Sequence, residues 1–198
     1  MPRTNPEARL RLVATAADML RRRGMNATSI RELAKAAKAP LGSTYHYFPN
    51  GKKQVVIEAV NFAGDKISGM LQKSLEKGAV AGLETFLQIW RDVIESTEFQ
   101  AGCPVIAVAM EQATNEDVEA AHAAAAKVFN RWQKLLTTSL AEEGIEQSRA
   151  NALATMYIAS AEGALGICRA TKDISAFDQV TEQLRFLLET TLKETRTK

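Results

Sequence analysis

Between Pro40 and Lys53 the chain reads PLGSTYHYFPNGKK, and nearly every residue there carries a group that can meet a nucleic acid. Ser43, Thr44 and His46 are short polar side chains able to approach base edges. Tyr45 and Tyr47 hold a hydroxyl at the end of a rigid ring, at the right reach for backbone phosphates. Lys52 follows at the start of the next helix, where its charge and the free N–H groups of the helix end both favour a phosphate. Thr28, expected to cap the preceding helix, can contribute in the same way. Other roles compete for some of these residues. Ser43 and Thr44 can cap the short helix, Tyr45 and Phe48 can pack in a core, and His46 can simply be solvated.

These side chains need a stage. Pro40 and Gly42 in front, with Pro49 and Gly51 behind, leave room for about six or seven helical residues, too few to be stable alone. Upstream, Asn5-Pro6-Glu7 is a helix start: cap, proline at the first position, acid near the positive end. Leu10, Val13, Ala16, Ala17 and Leu20 repeat at helical spacing, and Arg21 to Arg23 with Gly24 make the stop. A second helix from Thr28 has Ile30, Leu33, Ala34 and Ala37 on its inner face. Two helices joined by a tight turn, the second short and polar outside, describe a helix-turn-helix. The short helix is then held by its neighbours and its outer face can enter a major groove.

Charge agrees with that placement. Residues 1–53 hold eleven Lys or Arg against three acids, a balance of +8, while the remainder holds fourteen against twenty, a balance of −6. A cationic front on an acidic body calls for a polyanion at the front only. Two cysteines in 198 residues exclude a disulfide framework and a cysteine metal site, and fit a reducing cytoplasm. No secretory leader is visible, and the apolar stretch 152–168 carries Glu162, so it reads as a buried helix rather than a membrane span.

The rest of the chain also reads helical: a long fourth helix from Lys52 to near Gly78, then a fifth through Leu83 to Ile94. A sixth covers Cys103 to Met110, a seventh runs from Asn115 to Gly144, an eighth from about Ser148 to Ala170, and a ninth is capped by Ser175. No alternating strand pattern occurs. The fold class is all-α.

The stretch TSIRELAKAAKAPLGSTYHYFPNGKKQVV resembles the DNA-binding region of the tetracycline-repressor (TetR) family over about residues 8–60. Ala-Pro-x-Gly-Ser-x-Tyr-x-x-Phe-Pro-x-Gly-Lys is similar to its LmrA/YxaF-like branch, as are GCPVIAVAME and AEGALGICRATKD further on. The resemblance implies a nine-helix, two-domain protein: a helix-turn-helix domain over 1–51 and a helical ligand-binding and dimerisation domain over 52–198. It implies a repressor released from a palindromic operator by a small molecule, with no cofactor and no catalysis. Two positions depart from the family pattern. Lys38 stands where glycine is usual in the turn, which places a cation near DNA. Leu41 replaces a polar or basic residue, so one base contact can be to a thymine methyl.

Helices eight and nine, the former rich in Ala and Gly, are expected to pair with their twins across a two-fold axis. Phe62, Phe86, Trp90, Cys103, Met110, Phe129, Trp132 and Tyr157, with the acids Glu111 and Glu162, form the inventory for an apolar or aromatic effector. Each aromatic can equally be plain core, and Glu162 can pair with Arg169. His122 is expected at the surface. Two other readings stay open: a helical protein-binding adaptor, and a redox-responsive repressor using Cys103 and Cys168. An enzyme lacks support, since no nucleophile–base pair, phosphate loop or metal spacing is present.

Overall fold

The computed structural model describes residues 5–196. Among these, nine helices and no strand are found: α1 (Pro6–Arg23), α2 (Ile30–Ala36), α3 (Leu41–Tyr47), α4 (Gly51–Leu75), α5 (Ala79–Ser96), α6 (Pro104–Ala109), α7 (Glu116–Glu142), α8 (Gln147–Thr171) and α9 (Ser175–Arg196). Two compact units divide them. The first runs to Lys66 and takes in Cys103–Val128; the second holds Ile67–Gly102 and the chain from Phe129 onward.

In the first unit, the carbonyl oxygen of the Asn5 side chain accepts from Glu7 N–H at 3.0 Å and Ala8 N–H at 3.3 Å, so α1 starts where its sequence signals place it. Gly24 closes it at φ +74°, a region that costs other residues dearly. Its buried stripe is Leu12, Val13, Ala16, Ala17, Met19 and Leu20. Leu10, expected on that face, is exposed, because the stripe is centred on Ala16 and Leu10 lies at its margin. Packing of α1 on α2, α2 on α3 and α1 on α6 surrounds Leu33 and Phe48, both fully buried. Ala34 is buried too, as the close crossing requires. At Gly64 the α4 backbone meets α7: a β-carbon there would lie 2.4 Å from Val128 Cγ2.

In the second unit α8 packs on α9, and α5 on both. Arg91 of α5 grips Asp178 of α9 through two bonds of 2.8 and 3.1 Å, which raises the guanidinium pKa. Glu143 accepts the first N–H of α5, from Ala79, at 3.2 Å, supplying the cap that Gly78 cannot. Ser175 is the first residue of α9 rather than its cap; the carboxylate of Asp173 takes its N–H at 3.0 Å.

Candidate nucleic-acid interface and apolar cavity

The short helix α3 and its C-cap Phe48 sort their side chains by face. Thr44 and Phe48, one turn apart, point inward and are completely buried, whereas Leu41, Ser43, Tyr45 and His46 are exposed. That burial corrects the expectation for Thr44. Its hydroxyl donates to the Pro40 carbonyl at 3.1 Å inside the unit, so it supports α3 instead of touching bases. Tyr45, 54% exposed, is excluded from the core role that competed for it, while Phe48 takes that role in full.

Thr28 needs the same correction. It is wholly buried, with its hydroxyl on the Gly24 carbonyl at 3.0 Å, and the cap of α2 is Ser29, whose hydroxyl accepts from Glu32 N–H at 3.1 Å. Ser29 is the group at this helix start that retains an O–H to donate outward. Its sequence signal was present: Ser29 and Glu32 stand at the spacing of a capping box.

Lys38 sits in the turn between α2 and α3 at φ +50°, a left-handed conformation, where the Ala39 N–H reaches back to the Ala34 carbonyl at 2.9 Å. The conformation for which the family pattern keeps a glycine is therefore present and strained by a lysine. Tyr47 is half-buried, and its hydroxyl accepts the Asn5 N–H at 3.2 Å, which ties α3 to the start of α1 and leaves the phenolic proton for another acceptor. Lys52 lies in the first turn of α4.

The cations of this region are not equally available. Arg9 is held by Glu58 at 2.6 Å and lies over the Phe48 ring, 5.5 Å from its centre. Arg21 and Arg22 share Asp18, and Lys53 meets Asp117 at 3.3 Å. Among the described residues Arg31, Lys35, Lys38 and Lys52 enter no ion pair, so an incoming phosphate has no internal carboxylate to displace there. Arg3, counted in the basic front, lies outside the described residues.

The second unit holds an apolar cavity of about 40 Å³. Of the ten residues expected to bind an effector, Phe86, Trp90, Trp132, Tyr157 and Glu162 line it, and the remaining wall is aliphatic, from Ile67, Leu71, Leu83 and Leu136 among others. The aliphatic residues gave no separate signal, because they read as core in any helical pattern. Two of the wall's polar groups are already engaged: Trp132 Nε1–H donates to Ser68 Oγ at 3.1 Å, and the Tyr157 hydroxyl to the Leu184 carbonyl at 2.6 Å. Burial pushes the Tyr157 phenol well above its usual pKa. Glu162 is the one acid of the lining.

The other five expected lining residues lie elsewhere. Phe62, Cys103, Met110 and Glu111 belong to the first unit. Met110 is 78% exposed, Phe62 lies under the Lys66 ammonium, and Glu111 binds Met25 and Asn26. Phe129 stands edge-on to Trp132, with 5.4 Å between ring centres, and is not part of the wall. His122, expected at the surface, is half-buried in α7. Cys103 and Cys168 are buried and not joined in a disulfide, and burial raises the Cys168 pKa, which lowers its thiolate fraction. Among the described residues no helix is long and apolar enough to cross a membrane, and no group of acids, His and Cys is arranged to hold a metal.

Residues 12–59 match the model of the bacterial regulatory proteins of the tetR family, and residues 79–183 match that of the C-terminal domain of LmrA/YxaF-like transcriptional regulators. An uncharacterised HTH-type transcriptional regulator of Mycobacterium tuberculosis is 38% identical over 189 residues, covering 94% of this chain and 96% of that one. YxaF of Bacillus subtilis, also an uncharacterised HTH-type regulator, is 29% identical over 184 residues, 92% of this chain and 95% of its own. In fold, the chain is similar to a TetR regulator of Legionella pneumophila, with a TM-score of 0.81 at 21% identity over 96% of this chain and 99% of that one. A regulatory protein TetR of Rhodobacter sphaeroides superposes with a TM-score of 0.80 at 21% identity, over 90% and 97% of the two chains. The all-α architecture, the helix-turn-helix and the similarity over nearly the whole length together make this chain a member of the tetR family of transcriptional regulators, of the LmrA/YxaF-like branch.

Proposed function

We propose that the protein is a homodimeric repressor that binds a palindromic operator in the cytoplasm and leaves it when a small apolar or aromatic effector occupies the second unit. The observation that carries this reading is the outer face of α3: Leu41, Ser43, Tyr45 and His46 stand exposed, flanked in sequence by two cations, Lys38 and Lys52, that enter no ion pair among the described residues. Residues 1–51 act as the DNA-binding part and 52–198 as the part that binds effector and partner. Ser43 and His46 read base edges, Leu41 meets a thymine methyl, and Tyr45, Tyr47, Lys38 and Lys52 position the backbone.

One helix of seven residues reads few base pairs, so two copies about 34–36 Å apart are needed for a specific site. The surface for pairing is on α8 and α9. Ala152, Met156, Ala159, Gly163, Ile167 and Ala170 are all exposed and recur at three-four spacing along one stripe of α8, and Phe186 of α9 is 66% exposed. An apolar stripe of that length on a water-exposed helix is relieved by a twin helix packed against it.

The cavity as it stands admits a few waters, not an organic molecule, which typically needs several hundred Å³. Effector binding therefore selects a more open arrangement of the second unit, and works as a switch only through its preference for that arrangement. The walls favour a flat apolar molecule against Phe86, Trp90 and Trp132, and Glu162 favours one bearing a donor or positive charge.

The test is selection of bound duplexes from a random pool, followed by a search for compounds that release the selected one. The chain has two tryptophans and both line the cavity, so an effector acting there alters intrinsic fluorescence as it releases DNA. A monomer that binds palindromes and scrambled duplexes alike at moderate salt defeats the reading.

A further inference from the structure

Glu111 follows the short α6, and its carboxylate reaches the turn between α1 and α2. The backbone N–H of Met25 donates to Oε1 at 2.9 Å, and Asn26 Nδ2 donates to Oε2 at 3.0 Å, across 86 and 85 residues of sequence. The turn is otherwise held by itself: the Thr28 hydroxyl binds the Gly24 carbonyl at 3.0 Å and the Thr28 N–H binds the Met25 carbonyl at 3.1 Å. A β-carbon on Gly24 would come within 3.3 Å of Glu111 Oε1, so the glycine also lets the carboxylate approach closely.

The platform under Glu111 is firm. Pro104, Val105 and Val108 of α6 are buried, and the Glu111 N–H donates to the Val108 carbonyl at 3.2 Å. A carboxylate that accepts two N–H groups from adjacent residues fixes rotation as well as distance, and bonds to a charged acceptor are about twice as strong as neutral ones. The other polar tie from this stretch, Asp117 to Lys53 at 3.3 Å, joins side chains 59% and 36% exposed and holds much less firmly.

We propose that Glu111 is a positioning residue for DNA recognition: it locks the α1–α2 turn onto the end of α6, so that α2 and α3 meet DNA at one fixed inclination. Ser29, the cap of α2, lies three residues beyond Asn26, so rotation of the turn is passed directly to the helix pair that carries Ser43 and His46. This inference rests on the palindrome-reading dimer proposed above.

The test uses the full-length protein and the selected operator, with the spacing between half-sites varied one base pair at a time. The wild type is expected to prefer one spacing sharply. Glu111→Leu keeps the bulk and removes both acceptors; the ratio of affinities between the best spacing and its neighbours should fall roughly tenfold, about 1.4 kcal/mol. Glu111→Gln should restore the wild-type profile, because its carbonyl still accepts from Met25 and the Asn26 amide can turn its oxygen to the new NH2. Asn26→Ala, at an exposed position, should flatten the profile part-way and carries the test if the leucine variant does not fold. Asp117→Asn should leave the profile unchanged.

Uniform weakening at every spacing in both Glu111→Leu and Asn26→Ala overturns the proposal, since loss of folded protein lowers all affinities together. An unchanged profile in both, or a glutamine variant that behaves as leucine, overturns it equally. A wild type indifferent to spacing sinks the palindromic reading, and this inference with it.

Discussion

The phenol of Tyr157 on α8 donates to the carbonyl of Leu184 on α9 at 2.6 Å, a buried bond across 27 residues that fastens the two helices beside the cavity. Tyr157→Phe keeps the ring in the cavity wall and removes the bond. The Leu184 carbonyl keeps its place in the α9 ladder, so the cost should be about 0.5–1.5 kcal/mol in chemical denaturation, with DNA binding unchanged.

The same residue makes a pH prediction. Burial raises the folded-state pKa of Tyr157, so its proton stays on in the native protein where the unfolded chain would release it, at about pH 10. Above that pH the unfolded state binds fewer protons, and stability falls as pH rises. This contribution is fully present below the unfolded pKa. Stability measured from pH 9 to 11 should decline less steeply in Tyr157→Phe than in the wild type; identical slopes would mean that the phenol ionises in place.

Lys38 is strained at φ +50°, and glycine is the residue suited to that conformation. Relief of the left-handed penalty, about 1–2 kcal/mol, is partly offset by the freedom glycine gains in the unfolded chain, about 0.5–1 kcal/mol. Lys38→Gly should therefore stabilise the protein by roughly 0.5–1 kcal/mol while weakening its hold on DNA. The slope of log affinity against log salt should become shallower by about 0.9 if the lysine neutralises one phosphate. A stabilised variant with the original slope would remove Lys38 from the interface.

The sequence was legible where local chemistry decides. Asn5-Pro6-Glu7, Gly24, Pro40 and Pro49 set helix limits through their own backbone demands, and the structure keeps them, whereas Gly42, expected in front of α3, lies inside it. It was less legible at single threonines. Thr28 and Thr44 look like surface hydroxyls, yet each returns its proton to the carbonyl four residues earlier and buries its methyl, an option no local pattern distinguishes from capping. The cavity was half legible for a different reason. Phe86, Trp90, Trp132 and Tyr157 are large wherever they pack, whereas the local pattern around Glu111 shows only an acid after an apolar run, and its partners Met25 and Asn26 are 86 and 85 residues away.

Glycines give opposite expectations on two helices. At Gly64 a β-carbon would strike Val128 Cγ2 at 2.4 Å, so Gly64→Ala should destabilise the chain by about 1–3 kcal/mol. At Gly163 and Gly166 of α8 a β-carbon meets nothing within 4 Å. In a lone chain each alanine there should gain up to about 1 kcal/mol of helix propensity. If α8 packs closely on its twin, the added methyls should instead weaken the dimer. Sedimentation of the double variant over a range of concentrations decides, and an undiminished dimer would move the pairing surface off this stripe.

Ser43 and Thr44 are neighbours with the same functional group, which makes them a paired test of base reading. Ser43 is exposed, and its hydroxyl makes no bond among the described residues; Thr44 is buried and its hydroxyl donates to the Pro40 carbonyl at 3.1 Å. That carbonyl also receives the Thr44 N–H at 3.1 Å, so Thr44→Val leaves no acceptor orphaned. The valine variant should lose about 0.5–1.5 kcal/mol of stability and weaken all duplexes by one common factor, with their ranking kept. Ser43→Ala should leave stability within about 0.5 kcal/mol and change the ranking, with about 1–3 kcal/mol lost on the best sequence and less on duplexes altered at the base it reads. The two effects are separable on one panel of single-base operator variants, because loss of fold scales every affinity together and loss of a base contact does not. A ranking altered by Thr44→Val and preserved by Ser43→Ala would mean that α3 presents a different face to the groove.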